Sequence, residues 1–414
     1  MNINNNSWGE AAHAKQSFTR GVVTRSQSHK QLEQHLKSNL LPRGQYINGE
    51  DYNSSLMLTS SNECSLNLSN IPLFNDKRTG ANLQYLNYLK RIISTSNTLK
   101  HLSMGFLPTL TLHNNEIVKT LACQQSNSLT SLHLSRCDEL REFVYQPVDV
   151  QDLLTFRFLQ RLSLDTADLS DELLVSLSEA SRVQLKLLCL SMFNHEEGVR
   201  LVHDRTWTLL HERCPDLELT LNIIRCPQAI RDMMTVINHS MPLNHLRVLF
   251  CDEFYVPGFH HVARHQARTL RSLHIVESMR EGPMYYDISV DEQDPFVMMA
   301  WRCKNLTSFI VIGIALREHD VLAVARLRGM QLRKFEVLEE CITAFNQGEA
   351  EFEEDFAMSF DTFCEEISTS IGQEWLPLTE DDIDDSIIYL DSPESKAFLP
   401  ILLHDQQPVL TQSN

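Results

Sequence analysis

Leucine residues in the middle of the chain recur with the spacing L-x-x-L-x-L. The stretch LTSLHLSRCDEL places leucine at Leu129, Leu132 and Leu134. Similar segments begin at Leu99, Leu159, Leu185, Leu246, Leu270, Leu306 and Leu332, and a ninth segment from Leu217 is one residue shorter. The nine segments recur roughly every 29 residues, with irregular intervals. The pattern therefore predicts a stack of repeated units.

Short helical patterns lie between most of these segments. Examples are NLQYLNYLKRIISTS before Leu99, SDELLVSLSEAS before Leu185, and REHDVLAVARLRG before Leu332. Ser170 or Asp171 is predicted to cap the second of these helices, and Gly329 is predicted to end the third. Each unit is thus predicted to be a strand followed by a helix.

In a single unit, the apolar edge of the strand and the apolar face of the helix would remain exposed to water. Stacking the units buries both in a continuous core. The period and the strand–helix order predict an α/β fold, a leucine-rich-repeat solenoid with parallel strands on the concave face and helices outside. A helical apolar stripe of Phe352, Phe356, Phe360, Phe363, Ile367 and Ile371 predicts a C-terminal capping helix.

The expected organisation has four parts. Residues 1–62 are rich in Ser, Asn and Gln and are expected to be mostly disordered. Residues 63–340 form the irregular repeats, residues 341–375 contain the capping helix, and residues 376–414 are expected to form an acidic flexible tail.

Alternation along the strands predicts which side chains line the concave face. Leu129, Leu132 and Leu134 are expected to face the core, and residues between them, such as Ser131, to face outward. By the same register Val248 and Ile312 also face outward. The candidate protein-binding residues on this face are His133, Arg161, Asp165, Phe250, His274 and Ile310. An equal alternative is that Phe250 and Ile310 cover neighbouring repeats or pack against a loop.

Charge is distributed unevenly along the chain. The net charge is −18, and residues 335–395 contain 19 Asp and Glu but no Lys or Arg. The remainder is nearly balanced, so the composition disfavours a nucleic-acid partner. The apolar run FIVIGIAL at 309–316 is too short to span a membrane. Ten scattered cysteines without a secretory signal predict reduced thiols and an intracellular location, cytoplasmic or nuclear.

Motifs for catalysis, cofactors or metals are close to absent. The sequence has neither a glycine-rich phosphate loop nor G-x-S-x-G. His261 and His265 have a metal-ligand spacing of four residues, but no further ligand lies nearby in sequence, so an ordinary helix surface is favoured. We therefore expect a non-catalytic protein without a cofactor or metal, whose partner is another protein.

The order of several segments resembles the group of F-box only proteins 33 and 39. The segments are DELLVSLSEAS, WTLLHERCPDLELTL, LRVLFC and WRCKNLTSFIVIGI, and the resemblance covers roughly residues 70–375. It implies a non-catalytic substrate receptor of a Skp1–cullin–F-box ubiquitin ligase, which holds a target protein on its repeats. Residues 1–70 contain no recognisable F-box, so Skp1 is expected as a partner only if an F-box is present. The alternative is a free-standing repeat scaffold with no ligase role.

Overall fold

The structure is a computed structural model that describes residues 55–58, 64–67, 79–96, 99–136, 147–179, 182–193, 202–288, 292–343 and 359–383. Contacts divide the chain into two units, Met1–Asn53 and Ser54–Asn414. The first unit lies outside the described residues, as does most of the segment expected to be disordered. The following description concerns the second unit.

Thirteen strands are found in the described part of the chain. They are β1 Ser55–Leu58, β2 Cys64–Asn67, β3 Leu99–Ser103, β4 Ser131–His133, β5 Arg161–Asp165, β6 Leu187–Phe193, β7 Glu218–Ile224, β8 Leu243–Leu249, β9 Ser272–Val276, β10 Ser308–Ile312, β11 Leu316–Arg317, β12 Lys334–Val337 and β13 Ile342–Thr343. Eleven of these form one sheet in the order β1 to β10 and then β12, while β11 pairs with β13.

Neighbouring strands of the large sheet follow one another in the sequence. β1 pairs with β2 in an antiparallel manner, and each later neighbour is parallel. Each of the nine L-x-x-L-x-L segments contributes one of these parallel strands. The predicted α/β class with a parallel sheet is confirmed, and the sequential order is compatible with a repeat solenoid.

Helices connect the parallel strands. The described α-helices are Thr79–Thr95, Pro108–Thr111, Asn114–Gln125, Val150–Leu153, Asp171–Leu177, Asp204–Arg213, Pro227–Arg231, Met233–Val236, Val256–His265, Pro295–Arg302, Glu318–Arg328 and Phe360–Ile371. Ser170 Oγ accepts a hydrogen bond from Leu173 N, so Ser170 is the predicted cap. Gly329 ends another helix with φ of 53°, as its position in the sequence predicts.

One continuous core joins the inward strand side chains to the helices. Leu129, Leu132 and Leu134 are at most 1% exposed, as predicted. In the register of the sheet Leu132 lies beside Leu102 and Leu162, so equivalent leucines of successive units stack on one another. This stacking explains why a leucine spacing alone identifies the strands.

The predicted register of β8 is wrong. The sequence pattern begins the motif at Leu246 and turns Val248 outward. In the structure Leu243, Leu246 and Val248 are the inward residues, with Val248 1% exposed and paired with Ile275. An irregularity between β7 and β8 pairs Leu219 with Leu243 but Thr220 with His245, which shifts the register by one residue.

Two strands at the start of the large sheet fall where the sequence predicts none. Ser55–Leu58 lies within residues 1–62, which were expected to be mostly disordered, and pairs with Cys64–Asn67. The second of these strands then pairs with β3 in parallel. Four-residue strands carry too little alternation to be identified from sequence, and pairing with an existing sheet supplies the missing stability.

The last described helix, Phe360–Ile371, packs against the end of the core. Phe363, Ile367 and Ile371 are buried, but Phe360 is 42% exposed, so the predicted apolar stripe is shorter than expected. Phe352 and Phe356 lie outside the described residues. After the helix, Trp375 Nε1 donates to Phe335 O at 2.8 Å and the indole stacks on the Phe335 ring.

Residues 376–383 do not behave as the flexible tail expected to begin at residue 376. Leu378 N donates to Val337 O at 2.9 Å, and Leu378 O accepts from Glu339 N at 2.8 Å. These two backbone bonds fix Leu378 beside the last strand of the sheet. Residues 384–414 lie outside the described part of the chain.

Candidate protein-binding face

The candidate site is the sheet face opposite the core, here called the far face. It carries the alternate strand residues, which point away from the stacked leucines. Arg161 and Asp165 belong to β5, His133 to β4, His274 to β9 and Ile310 to β10, while Phe250 follows β8. The structure makes His274 and Ile310 direct neighbours in register. β5 and β9 are separated by three strands, about 19 Å for four steps, so the six residues do not form one cluster.

Four of the six predicted residues are inaccessible. His133, Asp165, Phe250 and Ile310 are at most 5% exposed, whereas Arg161 and His274 are half-buried. The expectation that all six line an open surface is therefore wrong for these four. Ile310 and Phe250 belong to a buried apolar cluster on this face. This agrees with the alternative interpretation from sequence, in which both residues pack against neighbouring parts of the chain.

His133 packs against the turn after β3. Its Nδ1 lies 3.0 Å from Ser103 Oγ, and its ring meets the Phe106 ring edge-on at 5.2 Å. The Nε2 atom is buried and has no hydrogen-bond partner among the described residues. Burial lowers the pKa of His133 to about 3, so the imidazole is neutral at physiological pH.

Asp165 has a structural role at the end of β5. Its Oδ1 accepts from Ala167 N at 2.9 Å and caps the turn Thr166–Asp168, while its Oδ2 lies 3.7 Å from Arg136 Nη2. Asp165 is 1% exposed, and its carboxylate already accepts a hydrogen bond from the backbone. It therefore stabilises the turn after β5 and is not available to contact a partner. The Asx capping pattern is readable from sequence, but the approach of Arg136 is not.

A buried polar group occupies the centre of the far face, and sequence analysis missed it. Asn222 Nδ2 lies 3.3 Å from Cys189 Sγ and 3.2 Å from Ser191 Oγ, and Arg247 Nη1 lies 3.4 Å from Asn222 Oδ1. Burial lowers the pKa of the Arg247 guanidinium. If the leucine motif is taken to begin at Leu243 rather than Leu246, the alternation in LNHLRVL predicts that Arg247 points outward.

Accessible side chains concentrate where the strands begin. The first outward residues of successive strands are half-buried or exposed, and those other than the apolar Leu187 of β6 are together called the amino-end band: His101, Ser131, Arg161, Glu218, His245, Ser272, Ser308 and Lys334. Arg271, just before β9, forms an ion pair of 2.7 Å with Glu218. This mixture of charges and hydroxyl groups suits polar contacts with a protein.

The far face becomes apolar where the strands end. Phe193, Ile224, Leu249, Val276 and Ile312 follow one another across β6 to β10, and this set is called the apolar row. Each of the five is at most 7% exposed. The far face is therefore divided into an accessible polar band and a buried apolar row.

His261 and His265 lie together on the helix Val256–His265, with ring centroids 4.4 Å apart. His261 Nε2 lies 2.8 Å from Ile237 O, so that nitrogen is a donor. Among the described residues no group of three His, Cys, Asp or Glu side chains has a metal-binding arrangement. No helix in the described ranges has both the length and the apolar character that a bilayer crossing requires.

No family model matches the sequence. F-box only protein 33 of Mus musculus is 26% identical over 296 residues, which cover 69% of this chain and 50% of the relative. F-box only protein 33 of Homo sapiens is 26% identical over 319 residues, which cover 74% of this chain and 55% of the relative. The chain spans about half the length of the curated relatives it matches.

The sheet and its sequential strand order define an α/β protein of stacked strand–helix units. Within that class, the chain resembles the F-box only protein 33 group, in agreement with the segments that suggested the group from sequence.

Proposed function

We propose that this chain is a non-catalytic substrate receptor of a Skp1–cullin–F-box ubiquitin ligase. The observation that carries the proposal is the similarity to F-box only protein 33 over about 70% of the chain. Other subunits would transfer ubiquitin, and this chain would hold the target. Such a receptor acts inside the cell, in the cytoplasm or the nucleus.

The repeat units are proposed to form a leucine-rich-repeat solenoid with the far face as its concave side. Two observations support this architecture: equivalent leucines stack in register, and neighbouring parallel strands follow the order of the sequence. The helix Phe360–Ile371 is proposed as the C-terminal cap, because Phe363, Ile367 and Ile371 pack into the same core.

The target is proposed to bind the far face. Of the six residues suggested by sequence, Arg161 and His274 remain partly exposed and could contact a target, whereas His133, Asp165, Phe250 and Ile310 would support the neighbouring side chains. The amino-end band provides the remaining polar contacts. An extended surface of this kind suits a protein ligand.

Quantitative affinity purification tests the target surface. Arg161→Glu should reduce recovery of a specific protein at least tenfold, because it reverses a charge in the amino-end band. The matched control is Arg205→Glu, an exposed arginine on the helix Asp204–Arg213. Equal recovery with both variants would contradict target binding at this face.

Skp1 binding tests the ligase role separately. Since no F-box is recognisable in residues 1–70, we expect this chain to bind purified Skp1 weakly or not at all, and a longer chain that contains an F-box to bind it. Target capture without Skp1 binding in either chain would favour a free-standing interaction scaffold.

A further inference from the structure

The charged side chains accessible on the far face are mostly positive, although the whole chain has a net charge of −18. Among the described strand residues of this face, together with Arg271 just before β9, the half-buried or exposed cations are Arg161, Arg247, Arg271 and Lys334, and the accessible carboxylates are Glu218 and Glu336. The buried Asp165 Oδ2 lies 3.7 Å from Arg136 Nη2, so this pair adds no net charge. An acidic chain therefore presents a basic surface on this face.

Two of these cations form ion pairs that water weakens. Arg271 Nη1 lies 2.7 Å from Glu218 Oε1, and Lys334 Nζ lies 3.3 Å from Glu336 Oε1. The side chains of Arg271 and Lys334 are 50% and 53% exposed, so solvent screens both pairs and each contributes little to stability. A carboxylate from another molecule can therefore reach these cations without a large cost.

Arg247 lies near the centre of the face and is held in place from one side. In the register of the sheet it lies between Asn222 and His274. Its Nη1 atom lies 3.4 Å from Asn222 Oδ1, and Asn222 is 0% exposed. Contacts of Asn222 Nδ2 with Ser191 Oγ and Cys189 Sγ fix the amide. The guanidinium is thus oriented before a ligand arrives, which lowers the entropic cost of binding.

The two histidines beside Arg247 lie in a positive potential. Burial is the largest cause that lowers the pKa of His245 and His274, and the charge of Arg247 lowers the pKa of both further. Lys334 adds to this effect at His274, whereas Glu218 opposes it at His245. The same potential that disfavours a protonated imidazole favours a bound anion.

Hydroxyl groups connect these charges across the sheet. Ser272 and Ser308 are half-buried neighbours in register, with His245 on one side and Lys334 on the other. The three steps from β8 to β12 span about 14 Å, which an extended peptide covers with about four residues. The residues that form this surface are together called the basic patch: Arg247, Arg271, Ser272, His274, Ser308 and Lys334.

We propose that the basic patch binds an acidic segment of the target protein, with one carboxylate of that segment on Arg247. Arg271 and Lys334 then attract further carboxylates, and the two serines donate hydrogen bonds. Resting on the proposed binding of the target at the far face, this assignment narrows the target to proteins with an accessible segment rich in Asp or Glu. A basic segment is disfavoured by repulsion between like charges.

Fluorescence anisotropy of labelled peptides tests the class of ligand on the full chain. Hexaglutamate should bind at least about tenfold more tightly than hexaserine, and added salt should weaken the binding, because charge provides the attraction. Equal binding of the two peptides would overturn the proposal. Tighter binding of a single-stranded oligonucleotide of equal charge would assign the patch to nucleic acid and would also overturn it.

Two variants that remove a charge locate the binding. Arg247→Gln should weaken hexaglutamate binding at least about tenfold, because it removes charged hydrogen bonds. Lys334→Gln should weaken it about threefold, because an exposed ion pair contributes less. The matched control is Arg205→Gln, an exposed arginine on the helix Asp204–Arg213, which should bind like the unchanged chain.

The exposed position of Lys334 keeps this test independent of folding, since its variant should fold normally even if Arg247→Gln does not. Equal binding of hexaglutamate by Lys334→Gln and Arg205→Gln contradicts the proposal.

Target recovery separates this proposal from the proposed function. If Arg161→Glu abolishes recovery of a target that Arg247→Gln and Lys334→Gln still recover fully, the far face binds the target but the acidic class is wrong. If Arg161→Glu recovers every protein equally while hexaglutamate binding depends on Arg247 and Lys334, the target-binding role fails and the basic patch keeps an acidic ligand.

Discussion

Gly105 lies directly beneath the His133 ring. A Cβ atom at residue 105 would lie 1.7 Å from His133 Cε1, far closer than any non-bonded contact. His133 is itself held by Ser103 and Phe106, so the ring has little freedom to move away. The glycine is therefore required by the close approach of the imidazole to the backbone.

This contact gives the first prediction. Gly105→Ala should destabilise the fold by about 1–3 kcal/mol, because the added methyl group overpacks a buried site. Chemical denaturation measures the loss. In a double-mutant cycle, Gly105→Ala should cost little when His133 is already alanine, since the obstructing ring is absent. An unchanged cost in that background would show that the contact with His133 is not the cause.

The stacked leucines give the second prediction. Leu132→Ala should lower the free energy of unfolding by about 2–5 kcal/mol, because Leu132 is 1% exposed in the core. Ser131→Ala is the matched control in the same strand, since Ser131 is half-buried on the far face, and it should cost less than about 0.5 kcal/mol. Similar losses for both variants would contradict the strand register.

Acid should weaken the fold through two histidines. Burial lowers the pKa of both His133 and His274 to about 3, from 6.5 in the unfolded chain. Below pH 6.5 the unfolded state therefore binds protons that the folded state does not, and the free energy of unfolding falls as pH drops from 6.5 toward 3. His274→Gln should flatten this slope in denaturation experiments. His211→Gln, on an exposed helix surface, should leave the slope unchanged.

Ionisation of Glu277 should make the fold less stable as pH rises, the opposite of the effect of the two histidines. Its two oxygens accept from Cys251 N and Asp252 N, each at 3.0 Å, and burial raises its pKa to about 8 from 4.5. The folded state then holds the proton on Glu277 more tightly than the unfolded state does. The resulting contribution to the free energy of unfolding is complete below pH 4.5 and is lost as pH rises through 8. The fold should lose stability across that interval.

Stability measurements between pH 5 and 8.5 check this sign. Glu277→Gln should reduce the pH dependence, because an amide does not ionise in this range. The exposed Glu292 provides the control, Glu292→Gln. A steeper dependence in the Glu277 variant would contradict the direction of the pKa shift.

The contacts of Glu277 were not predictable from sequence. They hold a loop in which Phe250 and Asp252 have φ of 54° and 53°, in the left-handed region where non-glycine residues are uncommon. Nothing in the local sequence marks these positions, because the partner, Glu277, lies about 25 residues away, just after the end of β9. Tertiary contacts supply the free energy that offsets this local strain.

The sequence alone determined the periodic part of this protein. A leucine spacing fixes where the strands lie and which residues stack, since equivalent positions of successive units must meet in the core. Local capping chemistry likewise placed Ser170 at a helix start and Gly329 at a helix end, because both depend on neighbouring backbone groups.

The tertiary structure decided what the far face exposes. The irregular pairing of β7 with β8 moved Val248 inward and Arg247 outward, which a motif read within one strand did not reveal. His133, Asp165 and Ile310 occupy the alternate positions that sequence assigned to them, yet they are buried. Alternation determines the direction of a side chain from its own strand, whereas its exposure depends on distant segments that fold over it.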